Sequence, residues 1–190
     1  MSHSSLQTTL PNTAWDDEAQ QITAAQRDPR QFNRLYDRYV QPVYRYLFSR
    51  LGNSQEAEDL TSQTFLKALE VFPRYRHNGH FAAWLFSIAR SRLVDHWRAT
   101  RNLGSAPDEN LPGNFDDPLQ QVIEIERVQS LRQLVAQLPE DDQELLRLRF
   151  TAGLSFSEVA TLLGRSEDAV KKATYRLLAR MQNQMEVSHD

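Results

Sequence analysis

The sequence predicts an all-α protein built as two small helical domains joined by a flexible acidic linker. Three observations predict it. Apolar residues recur at helical spacing on both sides of the middle of the chain, and no alternating pattern of useful length marks a strand. The stretch "NLGSAPDENLPGNFDD", Asn102 to Asp117, is rich in Gly, Pro, Asn and Asp and poor in apolar residues, which reads as a break between domains. The 190 residues are 40% hydrophobic and 25% charged, a balance that suits thin-cored helical domains better than one large core. The boundaries follow: residues 1–24 form an N-terminal tail or extension, 25–102 the first domain, 103–116 the linker and 117–184 the second domain.

Each element has its own signal. Residues 1 to about 14 are polar and lack periodicity, as in a mobile tail. In "DPRQFNRLYDRYVQPVYRYLFSRLG", Asp28 is placed to cap a helix and Pro29 stands at its first position. Phe32, Leu35, Tyr36, Tyr39, Val43, Tyr44 and Leu47 then follow a helical period; Pro42 is expected to kink or split the helix, and Gly52 to end it. Asn53 and Glu56 are spaced as a capping box for "SQEAEDLTSQTFLKALEVF". "RYRHNGH" is a turn centred on Asn78-Gly79. The long helix "FAAWLFSIARSRLVDHWRATR" carries two apolar stripes, which place Trp84 and Trp97 in packing roles; Arg90, Arg98 and Arg101 fall on the opposite side.

Beyond the linker a helix is expected from Pro118 to about Leu138, capped by Asp116 or Asp117. Another starts at Pro139 with acids in its first turn, where the helix dipole favours them, and stops at Gly153. Ser155 and Glu158 form a capping box for "FSEVATLL", Gly164 makes a turn, and Ser166 caps the last helix. Helix, tight turn, helix is the pattern of a DNA reader. In the last helix Val170, Ala173, Leu177 and Met181 share one face and should pack on the helix before it. The opposite face presents Asp168, Lys171, Lys172 and Tyr175, with Arg176 at its edge, and Ser166 with the free N–H groups of the first turn is a ready phosphate contact.

Charge sharpens this reading. The chain holds 22 Lys and Arg against 25 Asp and Glu, a formal net charge of -3, which argues against simple non-specific DNA binding. The charge is segregated, however. Arg74 to Arg101 holds six Arg against Asp95 alone, and Arg165 to Arg180 holds five bases against Glu167 and Asp168. Between them, Ala106 to Glu126 holds six acids and no base. Two basic islands thus flank an acidic bridge.

Several function classes are excluded or left without support. There is no cysteine, so disulfides, thiolate metal sites and cysteine catalysis are absent. No triad-like spacing or Gly-rich phosphate loop suggests an enzyme or a cofactor. His77 and His80 hint at a metal pair, but no carboxylate or third His lies nearby in sequence, so no metal is expected. No apolar run is long enough to span a membrane, and "MSHSSLQTTLPNTAW" has neither a basic nor an apolar leader region. Cytoplasmic residence is the default.

Taken together, the stretches "FNRLYDRYVQPVYRYLFSRLGNSQEAEDLTSQTFLKAL", "HFAAWLFSIARSRLVDHWRATR" and "LPEDDQELLRLRFTAGLSFSEVATLLGRSEDAVKKATYRLLARM" resemble the sigma-70 family of RNA polymerase sigma factors. The first two resemble its region 2 and the third its region 4; no region 3 domain fits the linker, which is the layout of the extracytoplasmic-function (ECF) subfamily. The resemblance implies a subunit that binds core RNA polymerase, through the β′ clamp helices and the β flap, and directs initiation at promoters by reading −10 and −35 elements. It implies no catalytic residue and no cofactor. Under it, Glu58, Asp59, Ser62 and Gln63 meet polymerase. Members often have Gln-Glu where this chain has Ser62-Gln63. Asn78 and His80 hold an extruded base of the −10 element, and Arg90, Arg98 and Arg101 follow the single strand. Ser166, Lys171, Lys172, Tyr175 and Arg176 read the −35 element. The implied partners are polymerase, promoter DNA and an anti-sigma factor, and the implied place is the cytoplasm, at the nucleoid within the holoenzyme. The competing reading is a helix-turn-helix regulator that works without polymerase, which predicts tight duplex binding alone and a palindromic site.

Overall fold

The structure, a computed structural model, describes residues 13–100 and 131–187, and these are helical with no strand among them. Helix α1 spans Thr13–Arg27, α2 Phe32–Leu51, α3 Ser54–Val71 and α4 Phe81–Thr100. In the second half residues 131–136 are helical (α5), followed by α6 Glu140–Leu146, α7 Phe156–Leu163 and α8 Glu167–Val187. The expected linker, the helix start at Pro118 and Arg101 lie outside the described residues.

Local chemistry fixes most helix ends where the sequence puts them. The Asp28 carboxylate accepts the Arg30 N–H and caps a short 3-10 turn, Pro29–Gln31, that leads into α2. Gly52 ends α2 at φ 69°, a left-handed conformation that glycine adopts without steric cost. The Asn53 side chain accepts the Glu56 N–H at 3.0 Å to open α3. The capping box at α7 is complete: the Glu158 N–H reaches Ser155 Oγ at 3.2 Å, and the Ser155 N–H reaches Glu158 Oε2 at 2.7 Å. Ser155→Ala removes one half of that box and is expected to cost about 1 kcal/mol of stability. A thermal melt checks it; an unchanged midpoint would show the cap to be redundant.

Two expectations are corrected here. Residues 13–24 belong to a packed helix, since Ile22 and Ala25 are buried and the Glu18 carboxylate accepts the Tyr39 hydroxyl beneath the surface. That stretch is mostly polar, so its apolar period is too sparse to read. Of the two outcomes expected at Pro42, the split does not occur, for α2 runs through it for 20 residues. A proline inside a helix costs about 3 kcal/mol. The buried side chains of Tyr39, Val43, Tyr46 and Leu47 on either side offset this, at about 1.5–3 kcal/mol for each large apolar group.

The core of the first domain is aromatic. Phe72 meets Phe32 edge-on at 5.0 Å, and Tyr75, Phe81 and Trp84 cluster within 4.5–5.5 Å of one another. In the second half Val170 and Ala173 pack with Val159 and Ala160, the face expected of α8. Leu177 and Met181 pack lower down against Leu138 and Leu146. Between α6 and α7 the chain makes a π-helical turn, Arg147–Thr151, closed by the Ala152 N–H on the Arg147 carbonyl at 2.8 Å. This turn aims Arg149 at the next loop. Its guanidinium donates to the Leu154 carbonyl at 2.9 Å and lies over the Phe156 ring at 4.7 Å, which fixes the entry to α7.

The two halves touch. Leu145, Leu148, Ala152 and Val159 join the same buried cluster as Tyr46, Phe86 and Ala89. Among the described residues no helix is long and apolar enough to cross a membrane.

Candidate nucleic-acid interface

Three surfaces carry the residues singled out in the sequence. The first is the outer face of α3. Glu58, Asp59, Ser62 and Gln63 are all exposed on it, because Ala57, Leu60, Thr61, Thr64, Phe65 and Ala68 take the buried positions between them. The same face continues into Leu66, 68% exposed, and Leu69, 42% exposed. An acidic and polar strip ending in two uncovered leucines has the make-up of a protein-binding patch, apolar at its centre and polar at its rim. Helical spacing agrees: Leu66 lies seven residues after Asp59 and four after Ser62, on the side of α3 away from its buried positions.

The second surface is the turn before α4. Gly79 has φ 82°, which lets the chain reverse there. The Asn78 Oδ1 accepts the His80 N–H at 3.3 Å and stiffens the turn, and the Gln26 side chain of α1 donates to the Tyr75 carbonyl at 2.6 Å, tying the loop to the body of the domain. Asn78 and His80 meet here as expected, in a cleft of about 420 Å³. Arg74, Arg76, Trp84 and Ser87 line it too, and Thr161 and Leu162 of α7 close it from the second half. The His80 Nδ1 is buried and has no hydrogen-bond partner. Burial pushes the Tyr75 hydroxyl up to about 12, so it stays a neutral donor at physiological pH. Trp84 keeps the packing role expected of it, half-buried against Phe72, Tyr75 and Phe81, and it also lines the cleft.

Arg98 is exposed on α4, with only a long 3.7 Å approach to Asp95. Arg90 is different. Its Nε lies 3.1 Å from Glu144 Oε1, on α6 of the other half. The expectation of a cation free to follow a nucleic-acid backbone does not hold for Arg90 in this conformation, because a carboxylate already neutralises it.

The third surface is the helix-turn-helix. Gly164, at φ 64°, turns the chain between α7 and α8, and Ser166 Oγ accepts the Ala169 N–H at 3.3 Å as the cap of α8. Lys172, Tyr175 and Arg176 are exposed, Tyr175 to 62%. The Tyr175 ring leans on Phe156 at 5.9 Å, which orients it from α7. The Lys171 Nζ lies 2.6 Å from Glu167, and this hydrogen bond pushes its pKa further up. The pair is solvent-exposed, so Lys171 can exchange Glu167 for another anion at little cost. Among the described residues no group of three or more His, Asp or Glu side chains is placed to hold a metal ion.

Comparison with known proteins agrees with this geometry. The model of sigma-70 region 2 matches residues 35–102, and that of sigma-70 region 4 matches residues 128–181. The ECF RNA polymerase sigma factor BldN of Streptomyces coelicolor is 40% identical over 149 residues, 76% of this chain and 56% of that protein. The chain thus spans little more than half the length of BldN. The ECF RNA polymerase sigma factor SigD of Mycobacterium tuberculosis is 32% identical over 156 residues, 78% of this chain and 74% of that protein. Two solved structures share the fold. CnrH, in complex with the cytosolic domain of CnrY, has a TM-score of 0.58 at 22% identity and covers 88% of this chain and 96% of its own. The sigma factor RpoE of Bartonella quintana, in complex with the anti-sigma factor NepR, has a TM-score of 0.62 at 20% identity and covers 83% and 98%. With both family regions matched in order, and a relative at 32% identity spanned over most of its length, the chain belongs to the sigma-70 family, among its ECF sigma factors.

Proposed function

We propose that this chain is the promoter-specificity subunit of a bacterial RNA polymerase: it binds the core enzyme and directs initiation by reading −10 and −35 elements, with no catalytic step of its own. One observation supports the reading: the first domain carries a polar strip with exposed leucines on α3 and the turn of Asn78 and His80, and the second carries a helix-turn-helix.

In this assignment Glu58, Asp59, Ser62 and Gln63, with Leu66 and Leu69, dock on the β′ clamp helices. Asn78 and His80 bind an extruded base, Trp84 offers a stacking edge, and Arg98 and Arg101 track the strand. Ser166, Lys171, Lys172, Tyr175 and Arg176 enter the −35 major groove. The net charge of -3 repels non-specific duplex, so polymerase supplies the residence on DNA and α8 supplies the discrimination. The protein works in the cytoplasm, at the nucleoid when in the holoenzyme, and an anti-sigma factor is a fitting regulator.

A gel shift on promoter-containing genomic fragments tests this, with the protein alone, core polymerase alone, and both. Sequence-selective retention is expected only with both. Tight, selective binding by the protein alone would favour a polymerase-independent regulator. Within the cleft, His80→Ala is expected to weaken promoter opening by roughly 5- to 150-fold, the range of a lost base contact worth 1–3 kcal/mol. Permanganate reactivity of unpaired thymines measures it, and unaltered reactivity would remove His80 from the base pocket.

A further inference from the structure

The contact between the two halves centres on one side chain. Glu144 of α6 is 7% exposed, and both of its carboxylate oxygens are engaged by the first domain. Oε1 accepts the Tyr46 hydroxyl at 2.8 Å and lies 3.1 Å from Arg90 Nε; Oε2 lies 3.3 Å from Arg50 Nη1. Arg50 also pairs with Glu140 and stacks on the Trp97 ring at 4.6 Å. Two guanidinium groups and a hydroxyl converging on two oxygens form a general oxyanion site, as fit for a phosphate as for a carboxylate. The same docking brings Thr161 and Leu162 of α7 to the wall of the cleft that holds Asn78, His80 and Trp84.

We propose that the free chain is self-inhibited: Glu144 occupies the oxyanion site of Tyr46, Arg50 and Arg90 in place of a nucleic-acid phosphate, while α7 walls the base cleft. This rests on the promoter-reading function proposed above and adds its regulation. The inhibited state and the DNA-bound state compete for the same cations, since Arg90 cannot neutralise Glu144 and a backbone phosphate at once. A buried ion pair of this kind is close to balanced, because desolvation offsets most of its attraction. It can therefore hold the domains together in the free protein and still yield when polymerase separates them. Apolar contact through Leu145 and Leu148 adds to the docking, and Glu144 gives it one geometry.

Glu144→Gln keeps the shape and removes the charge, and it sets an amide against two guanidinium groups. The chain has no cysteine, so Gln20→Cys and Asn183→Cys, both at exposed positions, can carry a donor and an acceptor dye on the two halves without background labelling. Energy transfer in the full chain then reports docking. Anisotropy of a short fluorescein-labelled DNA single strand of mixed sequence reports occlusion. The expected result is that Glu144→Gln lowers transfer and tightens single-strand binding by roughly tenfold or more, the scale for breaking a buried, hydrogen-bonded charge pair. Tyr46→Phe, which deletes one donor from the same site, is expected to move both readouts in the same direction by less, and it serves if the first variant fails to fold. Wild-type transfer with wild-type DNA affinity in a folded variant would overturn the latch. Lowered transfer without tighter binding would overturn the occlusion, and with it the proposal. Transcription with core polymerase is scored separately: a wild-type chain that supports none refutes the promoter-reading function, whatever the dyes show.

Discussion

Leu66→Asp is expected to abolish polymerase-dependent transcription while leaving the fold intact. Leu66 is 68% exposed on α3, so an aspartate there meets only water in the free protein and costs little stability. Against a partner it is severe. It removes an apolar contact from the patch that Glu58, Asp59, Ser62 and Gln63 begin, and it leaves a charge to be desolvated. Central interface residues of this kind are worth about 2–4 kcal/mol, or roughly 30- to 1,000-fold in affinity. Titration of labelled core polymerase measures the loss directly, with a thermal melt as the control for folding. Affinity within twofold of wild type would move the polymerase contact off this face of α3.

Lys171→Ala is expected to separate promoter reading from polymerase binding. Lys171 lies on the outward side of α8 and is held only by an exposed pair with Glu167. Its removal deletes a base or phosphate contact without touching Val170, Ala173 or Leu177, which pack the other side of the helix. A groove contact of about 1–3 kcal/mol predicts roughly a 5- to 150-fold drop in transcription from cognate promoters at unchanged affinity for core polymerase. If the contact is to a phosphate, the loss is uniform across promoters and the salt dependence becomes shallower; if it is to a base, the loss concentrates at one position of the −35 element. A drop in polymerase affinity instead would assign α8 to a protein contact.

The two residues illustrate how far the sequence reaches. Lys171 was legible from sequence alone, because the caps at Ser155, Glu158, Gly164 and Ser166 act within a few residues and fix the register of α7 and α8. Once that register is set, the buried and outward sides of α8 follow by counting. Leu66 yields to the same counting, since four residues after Ser62 it falls on the side of α3 away from Leu60, Thr64 and Ala68, but no cap or charge singles out an apolar residue there. Pro42 shows a local rule overruled by burial, and the polar α1 shows a helix held by a few tertiary contacts around Ile22 and Glu18. The docking of the two halves was out of reach, for Arg50 and Glu144 lie 94 residues apart with no pattern to relate them. The consequence is concrete at Arg90. By its helical period it belongs on a solvent-facing cationic strip with Arg98, yet in this conformation it is paired with Glu144.

Promoter choice is expected to come from this chain, added to a polymerase core that lacks it. Run-off transcription of a fragmented genome by core polymerase, with and without the full chain, followed by sequencing of the transcript 5′ ends, tests it most directly. A defined set of new start sites that share two upstream elements is expected, present only when the chain is added. Identical start sites in both reactions would contradict it.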